Sequence, residues 1–245
     1  LNFQFIVNHF ASTDTTSSDW IFFFFLLEFN NSKLSYNNYD YEPVLGIDYD
    51  HTVLSKFNMS LSDIEFIPQG INCDIEHLAF EEKSGFVINK MSTKFNISPQ
   101  GIIAQQLRIK TPYSNLAGDV NFLTKSYDGM SNFISDVNIN SYFEPSNISF
   151  KDLCFFATTL DCVNKSVDFE GEVRGRINNL KARKFIFTLD DGTHFRGDVN
   201  ITEIPETDNI FMHVKADELI TSKKSLEQIP LYPFSSKQFI ELPDN

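Results

Sequence analysis

Residues 184–201 read KFIFTLDDGTHFRGDVNI, and this stretch decides the fold. Phe185, Phe187 and Leu189 share one parity, and Phe195, Val199 and Ile201 share another. Between them Asp190-Asp191-Gly192 supplies the turn chemistry that joins adjacent antiparallel strands. Alternation with period two marks a strand with one apolar and one polar face, so this stretch predicts a hairpin.

The same alternation recurs along the chain. Ile71, Cys73 and Ile75 alternate with Asn72 and Asp74. Ile103, Leu107 and Ile109 share a parity against Gln106, Arg108 and Lys110, and Leu116, Gly118, Val120 and Phe122 form a further stripe. Phe133, Val137, Ile139 and Phe143 run against Asn132, Asp136, Asn138 and Asn140. Turn signals at Pro68-Gln69-Gly70, Ser84-Gly85, Pro99-Gln100-Gly101 and Asp128-Gly129 cut the chain into strands, with no αβ alternation, which excludes a doubly wound sheet. Two segments read as short helix: Phe150–Leu160 (FKDLCFFATTL) and Ser222–Ile229 (SKKSLEQI), the latter stopped by Pro230. The fold expected is all-β, one long curved antiparallel sheet with one or two short helices, running 1–245 as a single segment with a sub-boundary near 144–166. Neither helix is long enough to cover a sheet, so the apolar face is either closed into a solenoid or left for something else to fill.

Trp20–Asn31, WIFFFFLLEFNN, tests this reading. A helix that crosses the hydrocarbon layer needs about 20 apolar residues, which this run lacks, and no basic region precedes it as in a secretion signal. It reads as a strand. Trp20, Phe22 and Phe24 keep one parity and Leu27 and Phe29 the other, so a bulge near Phe25-Leu26 brings all of them to one face. Phe23, Phe25 and Leu26 then stand on the outer face.

Composition agrees with a folded β protein. The 245 residues are 42% hydrophobic, with 26 Phe and 8 Tyr; aromatic residues favour strands, and the abundant Asn, Asp and Ser favour turns. A net charge of −13, from 20 basic and 33 acidic residues, opposes a phosphate backbone and excludes nucleic acid as a partner. The chain starts at Leu1 and stops at Asn245, and reads as an internal piece of something longer.

No residue rises to a catalytic candidate. Cys73, Cys154 and Cys162 read as buried small hydrophobes, with a Cys154–Cys162 disulfide the alternative in an oxidising compartment. His9, His51, His77, His194 and His213 are scattered without a second ligand at metal spacing, so neither metal nor cofactor is expected. Glu81-Glu82, Asp190-Asp191 and Asp198 read as solvated charge, and Gly171 and Gly175 as bends in a strand.

The residues resemble a known family. FEGEVRGRINNLKARKFIFTLDDGTHFRGDVNITEIPETDNIFMHVKADELITSKKSLEQIPLYPF, followed by FIELPDN, is similar to the TamB-like proteins of Bacteroidota, within the wider AsmA-like group. WIFFFFLLEFNNSKLSYNN, SGFVINKMSTKFNIS, LRIKTPYSNLAGDVNF and SFKDLCFF resemble successive segments of the same proteins. One departure is Glu203-Ile204-Pro205, where Gly-Leu-Pro is commoner. The resemblance implies a non-enzymatic periplasmic β-structure with an apolar groove, anchored in the inner membrane by a helix absent from this sequence. Its expected partners are phospholipid acyl chains and, through a region also absent, a TamA or BamA-type outer-membrane barrel. The role implied is outer-membrane biogenesis, either phospholipid movement between the membranes or assembly and secretion of barrel proteins. A closed β-solenoid adhesin or polysaccharide-processing protein is a further alternative. On the groove reading the lining is Trp20, Phe22, Phe24, Leu27, Phe29, Ile103, Leu107, Ile109, Val120, Phe122, Val137, Ile139, Phe185, Phe187, Leu189, Phe195, Val199 and Ile201.

Overall fold

The computed structural model describes residues 22–67, 70–130, 132–156, 164–203, 211–227, 230–232 and 235–239. Eleven strands form one open, uncurled antiparallel sheet whose order follows the chain. They are β1 (Phe22–Asn37), β2 (His51–Ile67), β3 (Gly70–Glu82), β4 (Val87–Ser98), β5 (Gly101–Lys110), β6 (Asn115–Leu123), β7 (Asn138–Ser149), β8 (Ser166–Arg176), β9 (Asn179–Leu189), β10 (His194–Thr202) and β11 (Phe211–Ile220). β12 (Pro230–Tyr232) and β13 (Ser235–Phe239) pair only with each other. β1 and β11 are not paired with each other, so among the described residues the sheet is open at both edges. β7 pairs with β8, and between them 157–163 lie outside the described residues.

The predicted hairpin is β9–β10. Phe187 stands opposite Phe195, and the turn is closed by Gly192 N–H donating to the Leu189 carbonyl at 3.0 Å. Gly192 takes φ 85°, which a glycine adopts without steric cost. Asp191 Oδ1 accepts the Thr193 N–H at 2.9 Å, and that bond is the main reason its carboxyl lies below the usual range.

Bulges break the alternation of several strands. Asn31, Lys56, Asp63, Gln106 and Lys184 all take φ between 44° and 54°, and most neighbouring strand pairs show register shifts. An extra residue in one strand moves every later side chain to the opposite parity. At three bulges an Asn or Asp of the next strand accepts the N–H of the left-handed residue: Asn58 takes that of Asn31 at 2.9 Å, Asp119 that of Gln106 at 2.8 Å and Asp198 that of Lys184 at 3.0 Å.

Among the described residues three short helices interrupt the strands: α1 (Phe133–Asp136), α2 (Phe150–Leu153) and α3 (Lys223–Glu227), with a 3-10 turn at Tyr127–Met130 before α1. The last two fall in the segments read as helical from the sequence, although 157–160 and 228–229 lie outside the described residues. The first corrects an expectation, because the stripe Phe133, Val137, Ile139, Phe143 is not one strand. Its first part winds into the turn and α1, and β7 begins only at Asn138. Among the described residues no helix is long and apolar enough to cross a membrane.

Loops tie one margin of the sheet together. Asp48, 2% exposed, accepts the N–H groups of Val44, Asp50 and His51 at 3.1–3.2 Å and meets His51 Nδ1 at 3.1 Å and Lys83 Nζ at 3.5 Å. Burial works against its charge, but these bonds, led by that from Val44, hold its pKa down at about 2. Asp152 of α2 is likewise buried, accepting from Thr111 Oγ1 at 2.6 Å and from Ser114 Oγ. Beyond α2, Phe155 and Phe156 pack against Phe86 with ring centroids 5.7 and 5.0 Å away. Cys154 in this turn is disulfide-bonded, which overturns its reading as a buried free thiol; Cys162 lies outside the described residues. Cys73 is the buried free cysteine, its thiol pushed up by burial and by Asp74.

Candidate functional site

Directly opposite residues of an antiparallel pair share a face, so the register sorts every paired side chain onto one side of the sheet or the other. One side is apolar from edge to edge. From β2 to β11 a single line of partners runs Phe66, Ile71, Ile97, Ile102, Phe122, Ile139, Gly175, Leu180, Ile201 and Met212. Nine of these ten carry apolar side chains, and the tenth is glycine. A second line, through Phe29, Met59, Leu78, Met91, Ile109 and Leu116, crosses β1 to β6. It resumes as Ser146, Phe169, Phe187, Phe195 and Leu219 across β7 to β11. Rings meet along this face: Phe143–Phe169 at 5.3 Å, Phe169–Phe185 at 6.1 Å and Phe187–Phe195 stacked at 5.1 Å.

Among the paired residues of this face, Glu82, opposite Leu54 and buried at a hairpin end, carries the one charge. The other face is polar. There Arg108 holds Glu144 through two bonds of 2.8 and 3.1 Å, Asn147 donates to Asp168 at 2.7 Å, and Arg196 meets Glu218 at 3.3 Å.

Most residues singled out from the sequence fall on the apolar face: Phe24, Leu27, Phe29, Leu107, Ile109, Val120, Phe122, Ile139, Phe185, Phe187, Leu189, Phe195, Val199 and Ile201. In β1 the parity change expected near Phe25-Leu26 is present, with Phe24 opposite Ile64 and Leu27 opposite Leu61. Asp63 of β2 makes the matching change, at φ 49°. Phe23 and Phe25, whose rings meet at 4.9 Å, stand on the other side, and Phe25 is 79% exposed. Phe22 pairs with Phe66 in the backbone register. Trp20 lies outside the described residues.

Two residues require correction. Ile103 stands opposite Asn96 and Asn121 on the polar face, because the bulge at Gln106 switches parity between it and Leu107. Its neighbours Ile102 and Ala104 take the apolar side instead. Val137 is fully buried but precedes β7, in the cap of α1, and so belongs to no strand face. Sequence reasoning also missed β2 and β4, which supply Phe57, Leu61, Ile64, Met91, Phe95 and Ile97. In β2 the signal is present but short, Phe57, Met59 and Leu61 alternating with Asn58, Ser60 and Ser62 between the positive-φ residues Lys56 and Asp63 that reset its parity.

Chemically, this face is a continuous run of apolar side chains. Among the described residues, ring contacts from outside the strands reach it where Phe133 packs on Phe122 at 5.1 Å, and Phe155 and Phe156 pack on Phe86 at the β3–β4 turn. Among the described residues no three His, Cys, Asp or Glu side chains converge to hold a metal. No protein-family model, no curated protein and no solved structure matches this chain.

Proposed function

We propose that the chain is a non-enzymatic carrier surface for phospholipid acyl chains, a segment of a TamB-like bridge acting in the periplasm between inner and outer membranes. One observation carries this reading: the unbroken apolar partner line across β2–β11, with a solvated polar face behind it. Hydrocarbon laid on such a face leaves water at a gain of about 0.8 kcal/mol per methylene buried. A charge in its path would oppose passage, and among the paired residues of the face Glu82, buried at the margin, carries the one charge. The disulfide at Cys154 suits an oxidising compartment such as the periplasm. The segments that resemble the TamB-like proteins also fall at structural joints, Ser84-Gly85-Phe86 in the β3–β4 turn and Thr111-Pro112-Tyr113-Ser114 in the β5–β6 turn.

The test is extraction of the purified protein with organic solvent and mass spectrometry of the extract. Co-purifying phospholipid, displaced by added fatty acid, is expected. Protein that carries no lipid and takes up none from vesicles would sink the proposal.

A second reading rests on β11, where all ten residues are exposed. An open edge can pair with a client strand, as an assembly or secretion factor for outer-membrane barrels would require. On that reading a proline within β11 abolishes activity while lipid uptake persists.

A further inference from the structure

We infer that β11 pairs with β11 of a second copy of this chain, antiparallel and about a two-fold axis perpendicular to the sheet. The strand is open for it: one side is hydrogen-bonded to β10, no described strand pairs with the other, and every residue from Phe211 to Ile220 is exposed. Edge strands left in this state template the addition of another strand.

The residues of β11 restrict which strand fits. Met212, Val214, Ala216 and Leu219 stand opposite Ile201, Val199, Gly197 and Phe195 on the apolar face. His213, Lys215, Glu218 and Ile220 stand opposite Asn200, Asp198, Arg196 and His194 on the polar one. Between Ala216 and Glu218 the register shifts, leaving Asp217 as an extra residue. β10 keeps faces matched past Asp217 by a register shift; a regular strand laid along the free edge without one would match faces on one side of Asp217 and oppose them on the other. A strand that changes parity at the same level matches throughout. β1 and β2 already pair in this way, both changing parity between Phe24 and Leu27 and between Ile64 and Leu61 with no shift between them.

A second β11 meets this condition in a single register. Setting Ala216 of each copy opposite Asp217 of the other places Val214 opposite Leu219 on the apolar side and Lys215 opposite Glu218 on the polar side. Two-fold symmetry makes each contact twice. The opposite charges then face each other, while Glu218 now leans on Arg196 through an exposed pair at 3.3 Å, which is cheap to rearrange. A perpendicular axis keeps both apolar faces on one side, so two eleven-stranded sheets join into one continuous apolar surface. The pairing stands on the edge itself, whatever the face carries.

Sedimentation velocity of the whole chain across a concentration series tests it. The expected result is a monomer–dimer equilibrium that Lys215→Glu shifts to monomer by at least tenfold in dissociation constant. The double variant Lys215→Glu/Glu218→Lys, which restores opposite charges only in this register, should recover the dimer. Circular dichroism of all three checks that the fold persists. A chain that stays monomeric throughout, a dimer indifferent to Lys215→Glu, or a double variant that remains monomeric would each overturn the inference. Were the edge reserved for an unrelated strand, the first outcome would be seen; were copies to meet through their apolar faces, the second.

Discussion

A left-handed backbone costs a residue other than glycine about 1–2 kcal/mol, yet Asn31, Lys56, Asp63, Gln106 and Lys184 adopt one inside strands. At three of them the cost is offset by a local hydrogen bond, in which an Asn or Asp on the neighbouring strand takes the N–H that the bulge frees from the ladder. These are exposed bonds, so each is worth about 1 kcal/mol. Asp119→Ala, which strands the Gln106 N–H, should lower the free energy of unfolding by about that amount. Gln106→Gly should raise it by about 0.5 kcal/mol, the relief of backbone strain slightly exceeding the added freedom of the unfolded chain. Urea denaturation midpoints of the two variants check both signs. A stabilised Asp119→Ala would show that the bulge does not depend on its cap.

The elements read correctly from sequence are those whose alternation is uninterrupted over the stretch that was read. β9–β10 is the clearest, since Phe185, Phe187 and Leu189 all follow the parity change at Lys184 and a DDG turn follows them directly. In β2 the alternation is legible only over 57–62, because Lys56 and Asp63 reset its parity on either side, and Ile103 takes the polar face because nothing in IIAQQLRI marks Gln106 as the bulge. The capping aspartate lies on another strand, at Asp119, so the signal is not local. Asp48 shows the same non-local dependence in the β1–β2 loop, where it gathers Val44, His51 and Lys83 around one buried carboxylate. Its folded pKa of about 2 lies below the ordinary 3.8, so its contribution to stability is complete above about pH 4 and is lost as pH falls toward 2. Asp48→Asn should therefore melt below the native protein at pH 6, with the gap closing as both are acidified to pH 2. A gap constant across that range would mean that the carboxylate charge does not hold the loop.

Eleven strands give the sheet two sides of opposite character because each bulge in one strand is answered in its neighbours, by a matching bulge or a register shift, and the apolar rows rejoin beyond it. Continuity of that side is what a carrier of acyl chains requires, and it is a property no single strand possesses. Phe187 sits among the rings that lead from Phe169 through Phe185 to Phe195, whereas Lys184 in the same strand is exposed at a bulge and already tolerates positive φ. Phe187→Asp places an unpaired carboxylate on the apolar line and should reduce photo-crosslinking to acyl-chain probes by an order of magnitude or more. Lys184→Asp adds the same charge on the polar side, where water screens it, and aspartate is among the residues that accept a left-handed backbone, so crosslinking should stay near the native level. Both variants are compared at equal folded fraction, judged by their urea transitions, so that lost stability is not counted as lost binding. Equal crosslinking by the two would mean that acyl chains do not travel on this face.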